Sequence, residues 1–367
     1  MPRVIGIDPG TVSVDVCGLE DGQVFLDLSI PTADALASPS RIPDLLEQAA
    51  PIDLVVGPSG YGLPLTAARD LTDVDLRLAF LAAEGDTGGI GGLRALVRAL
   101  GRASMPVLLT PGVIHLATVP AHRKVNRVDM GTADKVCAVA LALQELTRRR
   151  RGGSADPPYS EVSFILLELG GAFSAAVAVD GGRIVDGVGG SSGPMGMRAA
   201  GALDGEVAIL AGTVTKALVF SGGADAVAGA PGASAEALAA SPRLSDRVAW
   251  EAYMESAAKA VAALAVAVPQ AHDVVLSGRS ARSPRVRDEI AHRLLGVVDG
   301  LAVHVLEGFA TTSSQAAQGA ALIADGLSGG ASKTLVERMD IRGATGTVLD
   351  HLFVVDRAAA RARLGIG

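Results

Sequence analysis

Cysteine is almost absent from this chain of 367 residues, which carries only Cys17 and Cys137. Two thiols so far apart support neither a disulfide framework nor a cysteine-rich metal centre, and both read as small core residues. Aromatic residues make up 3% of the sequence against 49% hydrophobic residues in all, so any core must be built from Ala, Val and Leu. Positive charge is not in excess. The 32 Lys and Arg against 39 Asp and Glu give a net charge of −7 and a pI near 5.4, which removes the basic footprint of a nucleic-acid binder. The six histidines are scattered without metal-site spacing, and His115 and His122 read as structural. No apolar run is long enough to span a bilayer; the longest, Ala257 to Val268, carries Lys259. The first strand is expected from Arg3 and Val4 with no signal segment ahead of it. A cytoplasmic protein with neither nucleic acid nor membrane as partner is the expectation.

Against those absences stands a repeat. Val4-Ile-Gly-Ile-Asp-Pro-Gly-Thr-Val-Ser13 returns as Ile165-Leu-Leu-Glu-Leu-Gly-Gly-Ala-Phe-Ser174. In each copy an apolar strand runs into a carboxylate, Asp8 or Glu168, followed two residues later by Gly10 or Gly170. Each then re-enters an apolar strand and reaches an acidic-Gly turn, Asp21-Gly22 or Asp180-Gly181-Gly182, at the same offset. A glycine turn lets backbone N–H groups approach phosphate oxygens, and the hydroxyls of Thr11 and Ser13 add donors. A carboxylate at the strand end suits Mg2+, which takes oxygen ligands and keeps several waters. Alone, Asp8-Pro9-Gly10 would read as an ordinary hairpin turn. The second copy in register favours a clamp for a metal-bound nucleotide, with Asp8 and Glu168 as candidate metal ligands.

The repeat continues beyond the hairpins. Ile52 to Ser59 resembles His272 to Gly278, each a short β-branched strand suited to burial on both faces. Pro106 to Thr110 and Leu301 to Leu306 follow as further strands. Ala-rich helices are then expected at Asp134 to Thr147 and Ser313 to Leu327. This order predicts a duplicated α/β protein with a mixed sheet in each lobe. Arg148 to Pro158, a charge run followed by Gly and Pro, marks the boundary, its arginines reading as a solvated helix C-terminus. The expected division is a first lobe over 1–150, a linker over 151–160, a second lobe over 161–330, and a tail over 331–367 packing back on a lobe. Residues 221–241, rich in Gly, Ala and Ser, are expected as a loop or lid.

Ile7-Asp8-Pro9-Gly10-Thr11, the second Gly-rich hairpin and Val275-Leu-Ser-Gly278 resemble the three phosphate and adenosine motifs of the acetate/sugar kinase–Hsp70–actin superfamily. Tyr253 to Lys259 with Asp273 to Gly278, and Gly193-Pro194 with Arg198 and Gly201-Ala-Leu-Asp204, resemble its acetokinase branch. Met130 to Lys135, Gly201 to Glu206 and Gln315 to Leu322 bring the whole chain to resemble the predicted butyrate-kinase family, found mostly in archaea. The resemblance covers most of residues 3 to 350. It implies a two-lobe, actin-like ATPase (ribonuclease H-like) fold with an interlobe nucleotide cleft, ATP and Mg2+ as cofactors, and, by analogy, a homodimer formed through the second lobe. There are departures. Butyrate kinases carry Asn where Asp8 stands, and they have acidic residues ahead of the last helix, where Gly308 to Ser314 leaves only Glu307.

In that frame Asp8 would hold Mg2+, Gly10, Thr11 and Ser13 would cradle phosphates, and Gly170 and Gly171 would close the opposite side. Gly278, Arg279 and Ser280 would lie against the adenosine. The acceptor candidates are Arg123, Lys124, Arg127, Arg198, Asp134 and Lys135. A carboxylate acceptor needs a guanidinium, favouring Arg198; a hydroxyl acceptor needs a base, for which Asp134 is available. Arg123 and Arg127 read equally as surface cations, Asp134 reads more readily as an acid at a helix N-terminus, and Lys135 reads also as a snorkelling cation. The leading expectation is an ATP- and Mg2+-dependent phosphotransferase acting on a short carboxylic acid. A kinase for a small hydroxyl-bearing metabolite and a nucleotide-dependent switch protein are the alternatives.

Overall fold

A computed structural model describes residues 2–38, 40–82, 91–150, 158–298 and 300–366. Of the expected linker, residues 151–157 lie outside the described residues. The first sheet contains β1 (Arg3–Pro9), β2 (Ser13–Glu20), β3 (Gln23–Pro31), β4 (Leu54–Pro58), β5 (Thr66–Ala67) and β6 (Val107–Thr110), in the order β3-β2-β1-β4-β6-β5. The second contains β7 (Phe164–Leu169), β8 (Ser174–Asp180), β9 (Arg183–Val188), β10 (Asp273–Ser277) and β11 (Ala302–Val305), in the order β11-β10-β7-β8-β9. Both sheets follow one plan. β1 pairs antiparallel with β2 and parallel with β4; β7 pairs antiparallel with β8 and parallel with β10. The expected duplicated α/β fold, with a mixed sheet in each half, is observed.

Two helices back the first sheet, and one of them reaches the second. Ala133–Arg150 touches strands of both, while Gln315–Leu327 packs on β1, β2, β4 and the helix Ala133–Arg150. Residues 313–327 belong by sequence order to the expected second lobe, yet this helix covers the first sheet. Small residues make that approach possible. A Cβ on Gly6 would stand 2.1 Å from the Ala317 carbonyl oxygen, and one on Gly319 would stand 1.8 Å from that of Cys137. Beyond this helix, Leu335, Val336, Met339, Ile341 and Leu349 are buried in the same core.

Alternation along the strands aims the functional side chains. In β7, Phe164 and Leu166 join the core around Ala133–Arg150, whereas Ile165, Leu167 and Leu169 join a second core against the helix Leu244–Ala265. Glu168 has the parity of Phe164 and Leu166, so it faces the helix Ala133–Arg150. In β1, Asp8 has the parity of Gly6 and faces the N-terminus of Gln315–Leu327.

Residues 221–241 are a correction to the sequence reading. They hold the short helices Ala224–Val227 and Ala235–Ala240, whose Ala224, Ala235 and Leu238 are buried in the second core. The exposed excursion comes just before them, where the helices Gly205–Ala211 and Lys216–Val219 bury no residue. Among the described residues, no helix is long and apolar enough to cross a membrane.

Candidate active site

The two carboxylate hairpins close in the same way. The Gly10 N–H donates to the Ser13 carbonyl at 2.8 Å, and the Gly170 N–H donates to the Phe173 carbonyl at 3.0 Å. A Cβ would lie 2.9 Å from the first of these oxygens and 2.6 Å from the second, so each glycine is demanded by its own turn. This amends the sequence reading, because both N–H groups are consumed in closing the turns. Ser13 is likewise engaged, donating to Asp15 Oδ2 at 2.9 Å. Thr11 and Gly171 remain exposed at the two tips, and a Cβ at Gly171 would meet open space.

Between the hairpins lies a charge cluster drawn from both halves of the chain. Ser314, the N-cap of Gln315–Leu327, donates to Asp8 Oδ2 at 2.7 Å. Lys135 Nζ lies 2.5 Å from Asp134 Oδ2 and 2.6 Å from Glu168 Oε1, with 11% of its side chain exposed. Thr132 Oγ1 donates to Asp134. Lost solvation, and then the charge of Asp134, push the Asp8 carboxyl up to about 7; the Ser314 hydroxyl and Lys135 oppose the rise. Burial also raises Glu168, against the pull of Lys135. Burial acts the same way on Asp134, but Lys135 and Thr132 together hold it below its ordinary value.

Asp8 and Glu168, the two metal ligands expected from the repeat, fit an ion differently. Glu168 already has the Lys135 ammonium against it. Asp8 has a hydroxyl and no ammonium of its own, and the charge of Asp134 beside it raises its carboxyl, so added positive charge would relieve the repulsion there. Among the described residues, no three His, Cys, Asp or Glu side chains converge as a ready-made metal cage. Mg2+ does not require one, since it is commonly held by one or two carboxylates, waters and phosphates.

Gly278 stands behind the second hairpin. Its φ is +87°, and a Cβ would meet the Leu169 carbonyl oxygen at 2.6 Å, so both conformation and contact require glycine. Its N–H donates to Gln315 Oε1 at 3.3 Å. One helix N-terminus therefore touches both halves of the site, Ser314 on Asp8 and Gln315 on Gly278. Arg279 is exposed and Ser280 half-buried at the mouth of the helical turn that follows.

The acceptor candidates separate. Arg123 donates to the Val185 carbonyl at 2.9 Å and lies 3.7 Å from Asp186, so it ties a loop of the first half to β9. Arg127 is exposed near the same aspartate, Lys124 is buried and donates to the Leu116 carbonyl at 2.9 Å, and Lys135 is committed to its two carboxylates. Arg198 is different. Its backbone N–H donates to Ala172 of the second hairpin at 3.0 Å, while its side chain is exposed. Glu307 is 78% exposed and turned toward Arg149.

Sequence reasoning missed several residues. Ser314 was invisible because Asp8 lies 306 residues away, and Gln315 because only packing brings Gly278 against its side chain. Asp129, buried, accepts from the Ser191 N–H and hydroxyl, each at 2.9 Å, and so joins the two halves. Lys216 donates to the Phe80 carbonyl at 2.7 Å and lies 4.9 Å from the Tyr61 ring centre. Only the polar cap Thr215 just before it marks a helix start there.

Residues 6–354 match the family model described as protein of unknown function, DUF1464. No curated protein matches the sequence. Among solved structures, a propionate kinase from Francisella tularensis subsp. tularensis aligns with a TM-score of 0.62 at 13% identity, covering 87% of this chain and 99% of that one. Acetate kinase from Porphyromonas gingivalis aligns with a TM-score of 0.59 at 15% identity, covering 87% and 98%. ROK hexokinase from Thermus thermophilus aligns at 0.43 and 17% identity, covering 87% and 96%. At such identities the first two likenesses carry the fold alone, a two-lobe actin-like architecture.

Proposed function

The chain belongs to the DUF1464 family, and from that premise we propose that it is an ATP-dependent kinase converting a short carboxylic acid to an acyl phosphate. The observation that carries this reading is Arg198. Of the five cations nominated for the acceptor, it alone is both fastened by its backbone to a carboxylate hairpin and left with an exposed guanidinium that nothing described engages. A planar guanidinium holds a carboxylate in two-point contact and offsets charge developing on the transferred group.

In this reading Thr11 and Gly171, at the two tips, flank the phosphate chain, and Gly278 backs the nucleoside side. The acceptor oxygen forms its bond to the γ-phosphorus as the bond from that phosphorus to the ADP oxygen breaks. Positioning and charge neutralisation, rather than covalent participation of the protein, are what such a transfer asks for. Mg2+, held by Asp8 with Asp134 beside it, would supply charge neutralisation at the phosphates.

One observation favours a second reading. A carboxyl pushed up to about 7, as at Asp8, is matched to accepting a proton near neutrality, which a hydroxyl acceptor requires and a carboxylate does not. A coupled ADP-release assay with ATP and Mg2+, run over short carboxylates and small alcohols with hydroxylamine trapping, separates the two. Hydroxamate formation is expected, and Arg198→Ala should lower kcat/KM for the carboxylate by about 10²-fold while leaving ATP affinity unchanged. ADP release without hydroxamate would transfer the proposal to a hydroxyl acceptor.

A further inference from the structure

Lys135 occupies an unusual position for a lysine. It projects from the N-terminal turn of Ala133–Arg150, at the end of the first half of the chain, and inserts its ammonium between a carboxylate of its own helix and one on β7 of the second half. The two oxygens stand 2.5 and 2.6 Å from Nζ. Carboxylate ligands to a divalent ion converge in the same manner, at about 2.3–2.6 Å for Ca2+ and about 2.0–2.1 Å for Mg2+. Asp8, the remaining carboxylate of the cluster, makes its hydrogen bond to Ser314 instead.

We propose that Lys135 is a built-in cation standing where a metal ion would otherwise bridge Asp134 and Glu168, so that divalent binding is confined to the Asp8 side of the cluster. Lys135 is then a positioning residue. It holds two acids of opposite lobes together, and it denies the site a second ion whose position would compete with the phosphates. The idea rests on the functional reading above only in taking the cleft to be cation-binding. It concerns ion occupancy without nucleotide or acceptor, so a chain inactive toward every acceptor would leave it standing.

The test counts Mn2+ bound to the full chain by equilibrium dialysis and electron paramagnetic resonance. Lys135→Met should bind one more Mn2+ per chain than wild type. The extra ion should be lost again when Glu168→Gln is added, and should not appear in Lys135→Arg, which restores the charge. Equal counts in wild type and folded Lys135→Met would overturn the proposal. Should Lys135→Met not fold, the comparison of wild type with Glu168→Gln decides: an unchanged count supports the assignment, and loss of an ion shows that metal displaces the ammonium.

Discussion

Asp8 pairs a strand-end position readable from the sequence with surroundings that are not. Its place in the repeat, matched by Glu168, was legible because strand, carboxylate and glycine are local features. Its neighbours were not, because Asp134 and Ser314 reach it only through tertiary packing. Those neighbours set its behaviour. With its carboxyl pushed up to about 7 against about 3.9 in an unfolded chain, the folded state holds this proton more tightly than the unfolded one. Its contribution to stability is therefore full below about pH 4 and declines as pH rises toward 7. In metal-free buffer, wild type should lose stability relative to Asp8→Asn across that interval, on the order of 2 kcal/mol after allowing for partial solvent access. Thermal unfolding of both proteins at several pH values measures it. Parallel curves would show that Asp8 titrates like an ordinary surface acid. The other side of residue-scale legibility is Arg123, which reads in the sequence equally as an acceptor ligand or a surface cation, while its guanidinium lies on the Val185 carbonyl of β9.

Strands and helices were largely legible, since β-branched runs and Ala-rich stretches report themselves. Which sheet a helix covers was not. The helix Gln315–Leu327 has apolar residues nearly all round, with Ala316, Ala317, Ala320, Ala321 and Ala324 buried, so no polar face announces its partner. Gly6 selects the partner by letting the helix backbone approach β1. Gly6→Ala would place a methyl group 2.1 Å from the Ala317 oxygen and 2.2 Å from the Ala321 nitrogen; these are backbone atoms that no rotamer change can move. It should destabilise the chain by about 3 kcal/mol and draw Ser314 away from Asp8. Gly57→Ala, on neighbouring β4, is the control: its methyl would meet the Ile7 oxygen at an ordinary 3.7 Å and should cost under about 1 kcal/mol. Urea unfolding midpoints compare them, and equal shifts would mean that the strand–helix approach is not as close as described. The misplaced lid has a similar origin. Gly, Ala and Ser read as loop in 221–241, yet Ala and Leu there found a core, while Ile209 and Leu210 in the preceding excursion are 71% and 86% exposed.

Two lobes of this size would ordinarily unfold as separate units. Here the second sheet opposes that separation. Alternate residues of β7 and β8 enter different cores: Phe164, Leu166, Val177 and Val179 go to the one shared with the first sheet, while Ile165, Leu167, Ala176 and Ala178 go to the other. Neither core can dissolve without baring a face of the strands that the other holds. Further ties cross between the halves, at Asp129 with Ser191 and at Asp27, which accepts from the Thr311, Thr312 and Ser313 N–H groups ahead of the crossing helix. The sole tryptophan, Trp250, is buried in the second core and so reports on that lobe alone, whereas far-ultraviolet ellipticity sums helices from both. Fluorescence and ellipticity should therefore follow one urea transition with a common midpoint. A fluorescence change completed at lower urea than the ellipticity change would mean that the second lobe's outer core melts by itself, and that the sheet joins the lobes in space without joining them in stability.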